Sequence, residues 1–260
     1  LGLFWRKDKE PMWHTPKLLA RIDKDYGHGV TTASKFASVL CKGLKVSQEY
    51  RQPAFEDGLY YLLQEQKLPA NLDLLAQTVS DDLGRRRLAA LAESGYDNPA
   101  GFVIPLDRDP LSGNWKSSVW PMTRKRIVLL PGDSPMGLRL PLDDLPWVEE
   151  EKKERRPERD TFAPRGQLAQ GGLATPQHIV EQVRAEPKDK TKEKEKKKTK
   201  KADDKTSDGI VRTAMCVEAR GGKVHIFMPP LTYLEDYLDL VAQIELAAKT
   251  LNVPVVLEGY

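Results

Sequence analysis

Cysteine is nearly absent, with only Cys41 and Cys216 in 260 residues and no pairing motif between them. Two distant cysteines build neither a disulfide framework nor a Cys-based zinc site, and their scarcity fits a reducing compartment. Each is expected as a small core residue. Histidine is equally sparse, and His14, His28, His178 and His225 have no metal-ligand spacing to one another. No apolar run approaches the roughly 20 residues that a membrane span requires, so no membrane partner is expected. The N-terminus, Leu1-Gly2-Leu3-Phe4-Trp5-Arg6-Lys7, has neither an initiator Met nor a signal-peptide layout. It reads as the middle of a strand, and the chain is expected to be an internal piece of a longer cytoplasmic protein.

A dispersed surplus of positive charge is missing too. The net charge of +3 is concentrated between Glu186 and Asp208, where ten Lys stand against seven Asp and Glu, and the remainder is balanced. The lysine tract could attract phosphate polymers nonspecifically. It has no interleaved aromatics, which favours a solvated linker over specific nucleic-acid recognition.

What is present is a soluble composition, 40% hydrophobic and 30% charged, long enough to bury a core. Residues 1–148 combine Trp, Tyr and Pro with short elements. A strand is expected over Leu3-Phe4-Trp5-Arg6 and a helix from Thr31 to about Gly43, with Phe36, Val39, Leu40 and Leu44 at helical spacing and Gly43 placed to end it. Further helices are expected over Gly58 to Gln66 and Leu83 to Ser94. Strands are expected over Gly101 to Leu106, Trp115 to Trp120 and Arg126 to Leu130. Residues 149–209 are dense in charge and poor in aromatics, the composition of a disordered insertion. Residues 210–260 alternate as a hairpin around Arg220-Gly221-Gly222-Lys223, continue into an amphipathic helix from Tyr233 to Leu251, and end in a buried strand from Val253 to Glu258. The fold class is therefore α+β, a mixed or antiparallel sheet with packed helices.

Few residues carry chemistry. Pro131-Gly132-Asp133-Ser134-Pro135-Met136-Gly137, with Arg139 close behind, could bring backbone amides to a phosphate, or could be a rigid structural loop. It lacks the spacing and the Lys-Ser/Thr pair of a P-loop. Glu218 follows Met215-Cys216-Val217, and Glu258 ends Val255-Val256-Leu257. Carboxylates on central strands must pair with a cation or coordinate a metal if buried, and two from one sheet could hold magnesium; at strand ends both would simply meet water. Glu56-Asp57 precedes a helix and suits its dipole.

Several blocks together resemble one family. They are Phe4-Trp5-Arg6-Lys7-Asp8, Asp25-Tyr26-Gly27, the run from Pro131 to Leu142, Leu145-Pro146-Trp147, Cys216-Val217-Glu218, Phe227-Met228-Pro229-Pro230, Glu235-Asp236-Tyr237-Leu238 and Leu257-Glu258-Gly259-Tyr260. They resemble the putative amidoligase family of large bacterial proteins, whose members commonly follow a transglutaminase-like domain. The resemblance implies a glutamine-synthetase-like fold in the C-terminal part, and ATP- and Mg2+-dependent joining of a carboxylate to an amine on a peptide or amino-acid-like substrate. It also implies metal-ligand roles for Glu218 and Glu258 and a phosphate contact for Arg139. No catalytic residue is assigned by it. A noncatalytic module that positions a peptide for a neighbouring transglutaminase-like domain is the other reading.

Overall fold

The computed structural model describes residues 13–66, 98–109, 113–122, 126–146 and 209–259. The strand expected at Leu3 to Arg6, the helix expected at Leu83 to Ser94 and the charged stretch 149–208 lie outside the described residues.

Six strands form one mixed sheet in the order β5-β1-β2-β6-β7-β8. They are β1 (Gln52–Phe55), β2 (Gly101–Pro105), β5 (Ile127–Val128), β6 (Ala214–Arg220), β7 (Lys223–Phe227) and β8 (Val255–Glu258). The four central strands pair antiparallel, whereas β5 and β8 at the two edges pair parallel with β1 and β7. Strands before and after the charged stretch thus share one sheet through the β2–β6 ladder, in which Gly101 opposes Glu218 and Val103 opposes Cys216. The α+β class holds. A separate two-residue ribbon joins β3 (Asp107–Arg108) to β4 (Trp115–Lys116).

Side chains alternate across a strand, so each face of the sheet collects its own set. One face carries Phe102, Ile104, Met215, Val217, Val224, Ile226 and Val255 and packs against two helices, α1 (Val30–Leu44) and α3 (Leu234–Leu251). The other face carries Ala54, Val103, Ala214, Cys216 and Phe227, and is covered by irregular chain bearing Trp120, Met122, Leu129, Met136, Leu140 and Leu145. Both cysteines are free and buried, one under each cover. Burial pushes the Cys41 thiol up to about 11 and the Cys216 thiol higher still, so both are inert packing groups.

Gly43 does not end α1. The helix runs to Leu44 and is closed by Lys45 in the left-handed region, φ 58°. A Cβ on Gly43 would stand 2.9 Å from Gln243 Oε1 of α3, so this glycine serves the close approach of the two helices. α2 (Gly58–Gln66) forms as expected, with Asp57 Oδ1 accepting from the Tyr60 amide as a cap. The expected strand from Trp115 to Trp120 is cut to two residues. The Gln52 side chain holds the Trp120 backbone, accepting from its N–H at 2.8 Å and donating to its carbonyl at 3.2 Å, where a neighbouring strand would otherwise pair.

The hairpin turn holds Gly221 and Gly222 at φ 55° and 67°, as a two-residue turn demands. The Asp25-Tyr26-Gly27 block lies over this turn: the amides of Tyr26 and His28 both donate to the Gly222 carbonyl, at 3.2 and 3.0 Å. A Cβ on Gly222 would fall 1.6 Å from Asp25 Oδ1.

One charged network was not legible in the sequence. Arg108 is buried, donates from Nη1 to Asp239 Oδ2 at 2.8 Å, and places Nε 3.4 Å from Asp236 Oδ1. Its guanidinium lies 4.6 Å from the centre of the Trp115 ring, and the Trp115 indole N–H shares Asp239 Oδ2. These contacts fasten the β3–β4 ribbon to the first turns of α3.

Candidate functional site

The loop-covered face of the sheet ends in a polar corner beside the hairpin turn. Glu218, Arg220, His225 and Glu258 fall on the same face because Glu218 opposes His225 in the β6–β7 ladder, Arg220 lies two residues beyond Glu218, and Glu258 is in register with Phe227. Arg220 Nη1 donates to Glu218 Oε1 at 2.7 Å, and Nη2 donates to Glu258 Oε1. His225 Nδ1 lies 2.8 Å from Glu258 Oε1 and 3.1 Å from Arg220 Nη2. Its Nε2 is 3.2 Å from the Arg220 carbonyl, which can only accept, so Nε2 carries a proton. His225 is buried, whereas the Arg220 side chain is 37% exposed and is the part of the corner open to a ligand.

The Pro- and Gly-rich run forms the wall of this corner. Residues Met136–Arg139 make a 3-10 turn whose first amide, that of Met136, donates to Glu218 Oε1 at 3.2 Å. Two glycines allow the approach. A Cβ on Gly101 would stand 2.9 Å from Met136 Sδ, and one on Gly137 only 2.0 Å from Phe227 Cδ1. Met136 and Gly137 are thus packed against the sheet, and the carboxylate met by the Met136 amide is the protein's own.

The sequence-selected residues separate. Glu218 and Glu258 converge on Arg220. Arg139 does not join them: it is buried on the other side of the 3-10 turn, where both terminal nitrogens bind Glu56 and Nε donates to the Leu130 carbonyl at 2.7 Å. Glu56, expected to serve a helix dipole, is its counter-ion. Arg220 and His225 were missed as a pair. The available signal was the period-two spacing of Glu218 and Arg220 with His225 opposite them across a two-residue turn.

A magnesium ion does not fit between Glu218 and Glu258 as they stand. The guanidinium is bonded to both, and among the described residues no group of three or more His, Cys, Asp or Glu could hold a metal ion. Burial raises the Glu258 carboxyl, but the His225 hydrogen bond and the Arg220 and His225 charges outweigh it and hold it below the ordinary 4.5. A carboxylate with a depressed folded-state pKa contributes stability that is present above its unfolded value and lost as pH falls through the folded one. Chemical denaturation between pH 6 and pH 3 should therefore show stability falling with acid, with a shallower fall in Glu258→Gln; an unchanged slope in that variant would dissociate Glu258 from the effect.

The family described as Putative amidoligase enzyme (DUF2126) matches residues 1–260, and the chain belongs to that family. No curated protein and no solved structure matches the chain. Among the described residues, no helix is long and apolar enough to cross a membrane.

Proposed function

We propose that the chain is part of a cytoplasmic ATP- and Mg2+-dependent carboxylate–amine ligase acting on a peptide or amino-acid-like substrate, working beside a transglutaminase-like domain. Family membership supports the ligase chemistry. The observation that carries the placement is the half-exposed Arg220 held between Glu218 and Glu258 on one sheet face. Such a ligase transfers the ATP γ-phosphoryl group to a carboxylate, giving ADP and an acyl phosphate. The amine then attacks the acyl carbon, the C–N bond forms, phosphate leaves and the nitrogen gives up a proton. A guanidinium can hold the oxyanion of carboxylate or phosphate, and a neighbouring carboxylate can take the proton. In this reading Arg220, not Arg139, meets the oxyanion, because the Arg220 side chain is partly exposed whereas Arg139 is buried against Glu56 and Leu130.

Titration calorimetry with MgATP tests the proposal. Binding is expected, and Arg220→Gln should weaken it about ten- to a hundred-fold, the loss of one charge-assisted contact worth about 1.5–3 kcal/mol. No binding by the folded full-length protein to which the chain is proposed to belong would remove the ligase reading.

A second reading has its own observation. A hollow of about 560 Å³ opens beside β1 and β5, lined by Pro53, Phe55, Val119, Trp120, Met122 and Arg126. Apolar walls with one cationic residue suit a peptide-positioning module. Peptide binding without MgATP binding would favour it.

A further inference from the structure

We infer that Arg220 is the resident cation of the Glu218–Glu258 pair, so that these two carboxylates hold no divalent metal ion in the folded protein. The charge argument comes first. A guanidinium hydrogen-bonded to both carboxylates already offsets one of their two negative charges and occupies the space between them. A divalent ion placed between them would sit within a few ångströms of that guanidinium and be repelled by it.

The ligand count agrees. Magnesium asks for near-octahedral oxygen at about 2.0–2.1 Å. Glu218 Oε1 accepts from Arg220 and from the Met136 amide, and Glu258 Oε1 is shared by Arg220 and His225. Glu258 Oε2, buried and without a partner, is a single oxygen against the near-octahedral set that the ion asks for. The imidazole offers no free nitrogen, since Nδ1 faces Glu258 and Nε2 faces a carbonyl. Arg220 is also fixed at its root: it pairs with Lys223 across the two-glycine turn, and that turn is pinned from outside by the Tyr26 and His28 amides. The guanidinium is built into the hairpin, not a surface side chain that has fallen across an acidic pair.

Removing Arg220 should therefore create the metal site that the wild-type protein lacks. Nucleotide-free Mn2+ titration, followed by electron paramagnetic resonance of the free ion, tests this on the wild type, Glu218→Gln, Glu258→Gln, Arg220→Gln and the double variant Arg220→Gln/Glu218→Gln. Mn2+ affinity of the wild type should be unchanged within about twofold by either glutamate substitution, the size of ordinary surface effects. Arg220→Gln should gain one Mn2+ site at least about tenfold tighter than any in the wild type, and the double variant should lose it, as expected for coupled neighbours. A wild-type Mn2+ site weakened tenfold by Glu218→Gln or Glu258→Gln would overturn the inference. So would a folded Arg220→Gln that gains no site. Should Arg220→Gln fail to fold, the wild type and the two glutamate variants decide the matter alone. The inference concerns this pair and not the ligase reading: failed MgATP binding leaves it intact, and Mn2+ held by Glu218 and Glu258 overturns it while leaving the ligase standing.

Discussion

Replacing Arg139 by alanine should lower folding stability by about 3–5 kcal/mol, the typical cost of removing one partner of a buried ion pair. Glu56 would lose a guanidinium that binds both its oxygens, and the Leu130 carbonyl would lose its side-chain donor. The backbone joins the same strut, because the Leu130 amide donates to the Arg139 carbonyl at 2.8 Å. Denaturant unfolding of Arg139→Ala and Arg139→Lys measures the effect. Lysine keeps the charge but not the planar fork, so it should recover only part of the loss. The competing role for Arg139, a phosphate contact, predicts the opposite division: near-normal stability with nucleotide binding weakened. A destabilisation below about 1 kcal/mol would contradict the structural role and return Arg139 to the candidate site.

Gly137→Ala should be nearly as damaging although it adds a single methyl group. The new Cβ would lie 2.0 Å from Phe227 Cδ1 and 2.3 Å from Cγ, distances no van der Waals contact tolerates. Phe227 is buried under the same loop, so the ring cannot simply turn away. Either the 3-10 turn lifts off the sheet or the ring leaves its rotamer, and overpacking of this kind typically costs about 1–3 kcal/mol and occasionally more. The lifted turn would also take the Met136 amide away from Glu218. Phe227→Leu in the Gly137→Ala background should restore part of the stability, and a double-mutant cycle in urea reads the coupling. Additive losses would show that the two residues do not press on each other.

These two effects explain what the sequence could and could not disclose. Periodicity is local, and it located α2, β2, the hairpin and α3 to within a few residues, because each is set by its own apolar spacing and turn chemistry. Gly43 was misplaced for a long-range reason: a glycine four residues after Val39 suits a helix end, yet here it answers to Gln243 on another helix. The strand expected after Trp115 was shortened by a single side chain, Gln52, from a distant segment. The candidate site divides in the same way. Glu218 and Glu258 were visible as carboxylates at the ends of apolar strands, and the sheet does bring them together. Arg220 was hidden inside a turn motif whose glycines drew the attention. Arg139 was conspicuous because it follows a phosphate-loop-like run, but its partner Glu56 is far away in sequence. The buried Asp236, Asp239 and Glu245 interrupt the apolar face of α3, and only the fold supplies Arg108 for the first two and the His14 amide for the third, whose other partner, Lys249, lies one turn along the same helix.

The central claim is that the Arg220 corner works within a carboxylate–amine ligase. Release of inorganic phosphate from MgATP by the full-length protein to which the chain is proposed to belong, measured with a carboxylate substrate and an amine supplied separately and together, tests it most directly. The account predicts phosphate release that needs both substrates for full rate and falls sharply in Arg220→Gln, with the variant still folded. Release that is indifferent to the amine, or unchanged in folded Arg220→Gln, would contradict it.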